Sequence, residues 1–342
     1  VKAVRFHEHG SPDVLRYEEA PDPALAPGEV MVRVRACALN HLDLWARRGL
    51  PHVRIPMPHI GGSDIAGEVV GAPAGGVPIG GRVMLQPGWS CGRCDACLAG
   101  RDNECAGYEV IGYTNHDGGC AELVKVPAEN LVPIPDAIDF VAAAAFPLTF
   151  LTAWHMLLTR AQLKRGEEVL VLAAGSGVGQ AAIQIAAVHG ARVIATAGSA
   201  DKLARARELG AAEVINHYEQ DIFEEIRRLT NRRGVDVVIE HVGEATWPKS
   251  VRSLARGGRL VTCGATTGYN GSLDLRALFA KQLTIQGSYM GTKGELLQAA
   301  RVFFAGRLKP AIDRVFPLAE AAAAHRRLEE SAQFGKIVLE VP

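Results

Sequence analysis

The stretch CGRCDACLAGRDNEC sets Cys91, Cys94, Cys97 and Cys105 at gaps of two, two and seven residues. Four thiolates at such spacing suit tetrahedral zinc, and four protein ligands leave no open position for a substrate, so the expected ion is structural. A bacterial ferredoxin cluster would need a last gap of three followed by proline, whereas Ala106 follows Cys105. A thioredoxin-type Cys-x-x-Cys pair explains two of the cysteines and not four. Cys37, Cys120 and Cys263 are scattered. That distribution fits a metal cluster in a reducing compartment better than a disulfide framework, and a cytoplasmic location is expected.

A second pattern lies in VLVLAAGSGVGQAAIQIAAVHG, where an apolar strand turns through Gly175, Ser176, Gly177, Val178 and Gly179 into a helix. Strand, glycine turn and helix in that order aim free N–H groups and a positive helix end at a pyrophosphate. A dinucleotide site is expected, although Ala174 stands where the first glycine of G-x-G-x-x-G would be. An NAD-type site needs a carboxylate at the end of the next strand to bind the ribose 2′-hydroxyl. Here that strand ends ATAGSADK, with Gly198 at the point in question and Ser199 and Lys202 beyond it. Hydroxyl and ammonium groups without a carboxylate favour NADP(H) over NAD(H). Asp201 is close enough to compete for the acidic role, and Ser199 is equally placed to cap the following helix.

The elements that must carry these groups read as an α/β chain. Residues 1 to about 149 hold short β-like runs (EVMVRVRACAL, IAGEVVG, GRVMLQPG, AELVKVP) separated by Pro/Gly clusters such as PDPALAPGE and GAPAGGVPIGG. From about residue 166 the texture changes to apolar runs alternating with helical segments: EVLVLAA, ARVIATA, AEVIN, VDVVIEHVG, GGRLVTCGA and QLTIQGS. Near-continuous Val/Ile/Leu runs joined by helices predict a doubly wound parallel sheet. In DKLARARELG, Leu203, Ala206 and Leu209 share a face before Gly210 stops the helix. Two helices and a last strand, GKIVLEVP, follow and could rejoin the first domain. A formal net charge of zero gives no footprint for nucleic acid or an anionic membrane. FVAAAAFPLTFLTAW is too short to span a bilayer and is broken by Pro147.

Together, the four-cysteine loop, the AxxGxxG turn and the returning tail resemble the medium-chain dehydrogenase/reductase superfamily over essentially the whole chain. The resemblance implies a GroES-like, mostly β catalytic domain with the zinc loop (1–149), a Rossmann domain (150–290) and a segment returning to the first (291–342). Zinc alcohol dehydrogenases of that superfamily hold a catalytic zinc with two cysteines and a histidine. The matching stretches here, LNHLD, GGSDIAGEVV and FPLTFLTAW, put Asn40, Ser63 and Leu148 at those positions, with Asp64 where a glutamate stands. None offers thiolate or imidazole. Cys37, His41, His59 and Asp64 are near enough in sequence to be considered as substitutes, but strand alternation turns Cys37 away from Asn40. The same stretches resemble more closely the quinone oxidoreductase branch, which lacks catalytic zinc. That match implies an active-site role for Asn40, an aromatic wall at Trp45, cofactor contact at Thr152 within PLTFLTAW, and His217 beside the adenosine phosphate. It also implies a homodimer or homotetramer.

Hydride transfer to a carbon acceptor leaves negative charge on the attached oxygen, which zinc or hydrogen-bond donors must stabilise. An Asn40 amide donor suffices for a quinone or an α,β-unsaturated carbonyl and serves poorly for an unactivated alcohol. His41 could donate a proton or bind the nicotinamide ribose, and Tyr113 and Met290 add apolar wall. Gly264 and Ser288 fall at C-terminal strand ends, where such sheets bind ligands. The expected activity is therefore NADP(H)-dependent reduction of a small quinone or enone. The alternatives are a zinc-type alcohol dehydrogenase with an unusual catalytic metal site and a nucleotide-binding protein without turnover.

Overall fold

Strands buried on both faces can take only apolar residues, and the six runs between residues 168 and 287 form such strands in the computed structural model, which describes residues 1–51, 53–71 and 77–342. Residues 72–76 of the GAPAGGVPIGG cluster lie outside the described residues. The chain divides into two units, Val1–Leu148 with Thr292–Pro342, and Thr149–Gly291.

In the Thr149–Gly291 unit the spatial strand order is Glu213–Asn216, Arg192–Ala197, Glu168–Val171, Val235–Glu240, Leu254–Thr262, Thr284–Gly287. Every neighbouring pair is parallel. In chain order this is 3-2-1-4-5-6, the doubly wound arrangement, with the first strand at the point where the order reverses. Val169, Leu170, Val171, Val237, Val238 and Ile239 are fully buried, which is why these runs lack alternation. Helix Gly177–Val188 buries Ile183 and Ala186 against the sheet. Helix Ala200–Glu208 buries Ala206 and stops before Gly210, whose φ of +112° ends it.

The other unit is built on a seven-stranded sheet. Its long strand Glu29–Ala38 alternates, with Val30, Val32 and Val34 buried and Arg33 exposed. The last strand, Lys336–Glu340, pairs antiparallel with it, Leu339 opposite Cys37 and Val338 opposite Ala38. Residues 292–342 thus carry Lys336 to the end of the strand that leads into Asn40. Helix His41–Arg48 follows at once and is fixed by a buried arginine. The Arg47 guanidinium is shielded from water, donates to Nδ1 of His325 at 3.3 Å, and pairs with Glu329 on helix Ala321–Glu329. Burial and that guanidinium push His325 down to about 3, so it accepts as a neutral ring. No helix among the described residues is long and apolar enough to cross a membrane.

Candidate functional site

The cysteine loop closes on itself. Cys94 caps the short helix Asp95–Leu98, Cys97 lies within it, and Cys105 ends the 3-10 turn Asp102–Glu104. All four sulfurs lie within 4.8 Å of one another. The Cys94–Cys97 and Cys91–Cys97 separations are 3.5 and 3.9 Å. Zn–S bonds of about 2.3 Å in a tetrahedron place sulfurs roughly 3.8 Å apart, so the donor set and the close grouping of the four sulfurs suit zinc. Backbone N–H groups of Arg93 and Cys94 donate to the Cys91 sulfur and hold its thiol down to about 6, which favours the thiolate a metal needs. Gly92 (φ +70°) and Gly100 (φ +73°) supply the left-handed turns of the loop. The loop also holds the returning segment: both carboxylate oxygens of Asp102 accept the Lys293 N–H, at 3.1 and 3.3 Å, at the start of helix Lys293–Phe304.

In the parallel sheet, Gly175 lies in the turn after Glu168–Val171, Ser176 is the N-cap, and the helix begins at Gly177. The Ser176 hydroxyl accepts the Gly179 N–H at 2.9 Å. The N–H groups of Gly177 and Val178, the first two of the helix, have no acceptor within it and remain for an anionic ligand. Gly179 has no room for a side chain, since a Cβ would stand 2.3 Å from the Ala173 carbonyl oxygen. Ala174, in the first-glycine position, needs no glycine, because the left-handed residue is its neighbour Ala173 at φ +47°. Gly264 and Ser288 follow the C-terminal ends of the adjacent strands Leu254–Thr262 and Thr284–Gly287, on the same edge of the sheet as the glycine turn. The buried Ser288 hydroxyl has no hydrogen-bond partner among the described residues. Thr152 is buried in helix Pro147–Trp154.

At the end of the second strand, Gly198 is enclosed by His217 and Tyr218, whose ring atoms would lie 3.1 and 2.4 Å from a Cβ there. Ser199 does cap the next helix, accepting the Lys202 N–H at 3.4 Å. Burial first, then the charges of Lys202 and Lys249, lower the His217 pKa, so two ammonium groups face this corner. Asp201 is exposed.

Asn40 precedes helix His41–Arg48. Its backbone N–H donates to Asp43 at 2.7 Å, and the other Asp43 oxygen accepts the Gly62 N–H at 2.9 Å. Burial pushes Asp43 up to about 6. The Asn40 side chain is turned to two partners: Lys336 Nζ donates to its Oδ1 at 2.5 Å, and its Nδ2 donates to Asp64 at 3.0 Å. Lys336 also donates to Asp64 at 2.8 Å, and the second Asp64 oxygen accepts the Leu148 N–H at 2.7 Å. Sequence reasoning missed Lys336. The available signal was Asp64 itself, a carboxylate in an apolar strand, which needs a buried cation.

Of the residues considered as substitute zinc ligands, Cys37 and His59 are engaged by other partners and Asp64 is bonded to Lys336, Asn40 and Leu148. Cys37 packs 4.0 Å from the Cys120 sulfur, and that contact and burial raise its thiol pKa well above the usual range. His59 is buried, 3.3 Å from the Gly112 carbonyl and edge-on to Phe6. His41 packs edge-on against Trp45. Tyr113 packs against the Phe6, Ala46 and Ile55 cluster. Among the described residues, the four-cysteine cluster is the one group of three or more His, Cys, Asp or Glu side chains with metal-binding geometry.

Residues 26–136 match the alcohol dehydrogenase GroES-like domain, and residues 177–305 match the zinc-binding dehydrogenase domain. The chain is 31% identical to quinone oxidoreductase of Rattus norvegicus, over 99% of this chain and 97% of that one. It belongs to the zinc alcohol dehydrogenase-like medium-chain dehydrogenase/reductase superfamily. Another superfamily member, crotonyl-CoA carboxylase/reductase of Cereibacter sphaeroides, is 31% identical over 95% of this chain and 83% of its own length. Among solved structures of the superfamily, an NAD-dependent alcohol dehydrogenase superposes with a TM-score of 0.95 at 46% identity, covering all of both chains. Membership makes this chain an oxidoreductase that uses a nicotinamide cofactor and a small-molecule substrate. Asn40, Ser63 and Leu148, which the sequence resemblance sets at the ligand positions of zinc dehydrogenases, offer no thiolate or imidazole, and an ammonium is hydrogen-bonded to the first.

Proposed function

We propose that this chain is an NADP(H)-dependent reductase of quinones or α,β-unsaturated carbonyl compounds that works without a catalytic zinc. The observation that carries this reading is the buried Asn40–Lys336–Asp64 cluster. It combines the absence of thiolate or imidazole at the expected ligand positions with an Asp64 carboxylate whose two oxygens are already taken by Lys336, Asn40 and the Leu148 N–H. Asn40 is 7% exposed, and its amide nitrogen donates to Asp64 at 3.0 Å and, in a longer bond of 3.4 Å, to the Ala38 carbonyl; the longer bond is the one a substrate oxygen would replace. Reduced nicotinamide, when bound, supplies a hydride from C4 to the electrophilic carbon. The chain's part is to hold the acceptor oxygen on the Asn40 amide while its negative charge grows, until a solvent proton completes the two-electron reduction. The N-terminus of helix Gly177–Val188 would hold the pyrophosphate, and Cys91, Cys94, Cys97 and Cys105 would hold a structural zinc.

For the cofactor, Lys202, Lys249 and His217 around Gly198 support a 2′-phosphate. Related structures divide: a crotonyl-CoA carboxylase/reductase of the superfamily is solved in complex with NADP, and the 46% identical alcohol dehydrogenase is NAD-dependent. That second likeness favours a rival reading, NAD-dependent alcohol oxidation. The strand Thr284–Gly287 ends its sheet, with Phe279 and Tyr289 exposed nearby, which supports pairing of two copies along that edge into a dimer or tetramer. Seven free cysteines support a reducing, cytoplasmic setting. The test is a coupled screen on the purified protein: NADPH or NADH oxidation with quinones, enones and aldehydes, beside NAD(P)⁺ reduction with alcohols. Turnover of quinones or enones with NADPH is expected, and turnover confined to alcohols with NAD⁺ overturns the reading.

A further inference from the structure

A buried ion pair seldom contributes net stability over an apolar pair of the same size, so the Lys336–Asp64 pair calls for another role. Its side chains are 2% and 0% exposed. Both oxygens of Asp64 are spent, one on Lys336 and Asn40 and the other on the Leu148 N–H. Lys336 spends two of its three N–H bonds on Asp64 and on Asn40 Oδ1. An asparagine amide is nearly symmetric in shape, and only its partners decide which end is oxygen. Here a flip would press N–H₂ against an ammonium and the carbonyl against a carboxylate. The pair therefore admits one orientation. Asp43 is the other charged group facing the cluster, and its oxygens are taken by the Asn40 and Gly62 backbone.

We propose that Lys336, balanced by Asp64, is a positioning residue of the reductase. Its ammonium takes the Asn40 carbonyl while Asp64 takes one N–H, which fixes the amide in one orientation and leaves the second N–H, in a longer 3.4 Å bond to the Ala38 carbonyl, as the one that turns to the acceptor oxygen; the ammonium at the carbonyl end also polarises the amide and strengthens that donor. Charge and donor are both set before the reaction begins, in a site poor in water, where such preorganisation acts most strongly. The inference rests on the reductase reading above, and its test separates the two.

The experiment compares wild type, the charge-neutral double variant Lys336→Met/Asp64→Asn, and Lys336→Ala with added ethylamine or butylamine. If the pair only balances charge, the neutral double variant recovers wild-type kinetics. Positioning predicts a folded double variant with NADPH binding within about twofold of wild type and KM little changed, but kcat lowered on the order of 30- to 100-fold. It also predicts that amine restores kcat of Lys336→Ala saturably, by about tenfold or more. A double variant with wild-type kcat, or a folded Lys336→Ala that no amine improves, overturns the proposal. A readout free of turnover accompanies these: in protein labelled with ¹⁵N-asparagine, the Asn40 side-chain amide, assigned by Asn40→Asp, should give one slowly exchanging proton pair in wild type. That pair should exchange fast in the double variant. An unchanged amide pair overturns the positioning role whatever the activity, whereas a locked amide in a wild type that reduces no quinone or enone overturns the reductase reading alone.

Discussion

Replacing Gly179 by alanine tests the nucleotide site where the fold has least tolerance. The new methyl would stand 2.3 Å from the Ala173 carbonyl oxygen and 2.9 Å from Ser176 Oγ. Ordinary contact needs roughly 1 Å more, and the obstacle is backbone, so either the turn or the helix must move. The helix is held by Ala181, Ala182, Ile183, Ile185 and Ala186, all fully buried, which leaves the turn to give. Overpacking of this kind costs about 1–3 kcal/mol, offset by about 1 kcal/mol from alanine's better helix propensity, so the fold survives with a small loss. The cofactor fares worse. Displacing the turn misaligns the N–H groups that face the pyrophosphate, and charge-assisted hydrogen bonds are each worth about 1.5–3 kcal/mol. Loss of one weakens NADPH binding roughly tenfold to a hundredfold. Titration calorimetry of NADPH into wild type and Gly179→Ala, with melting curves of both free proteins, measures the two effects separately. An unchanged Kd with an unchanged melting temperature would refute the placement of the pyrophosphate.

Asn40→Ala should lower kcat with a quinone or enone at least about tenfold while NADPH affinity is retained, and unchanged turnover would remove it from the mechanism. Lys202→Glu should move the KM ratio toward NADH by about tenfold or more, because a carboxylate there repels a 2′-phosphate and suits a 2′-hydroxyl; steady-state KM values for both cofactors check it. Burial pushes Asp43 up to about 6, above the roughly 4 of an unfolded aspartate. The folded state then binds more protons between those values, so this group's contribution is full below about pH 4 and declines as pH rises through about 6. Asp43→Asn should flatten that decline, by on the order of 2–3 kcal/mol in the difference between urea-unfolding free energies at pH 4 and pH 7. Parallel profiles for the two proteins would contradict it.

What was legible in the sequence divides along physical lines. The parallel sheet was readable because strands covered on both faces admit little but Val, Ile, Leu and Ala, and all six runs became strands. Gly179 was readable because close approach of helix and strand forbids a Cβ, and Gly210 because a left-handed residue ends a helix. The cysteine loop was readable because its ligands are local. Lys336 was not, being 296 residues from Asn40 and 272 from Asp64, in a strand whose pattern gave no sign of a partner. Arg47 was hidden for the same reason: its partners His325 and Glu329 lie far along the chain. Ser199 illustrates a residue with two readings; it caps a helix, while the positive charges at that corner come from Lys202 and Lys249. Pairings between distant segments are made by tertiary structure, and local periodicity carries no record of them.

A zinc held by Cys91, Cys94, Cys97 and Cys105 braces a loop and has no open position for a substrate, so the proposed reduction needs no second ion. Zinc counted on purified protein that oxidises NADPH with a quinone or an enone should come to one per chain; two per chain in the active protein would refute a reaction without catalytic zinc.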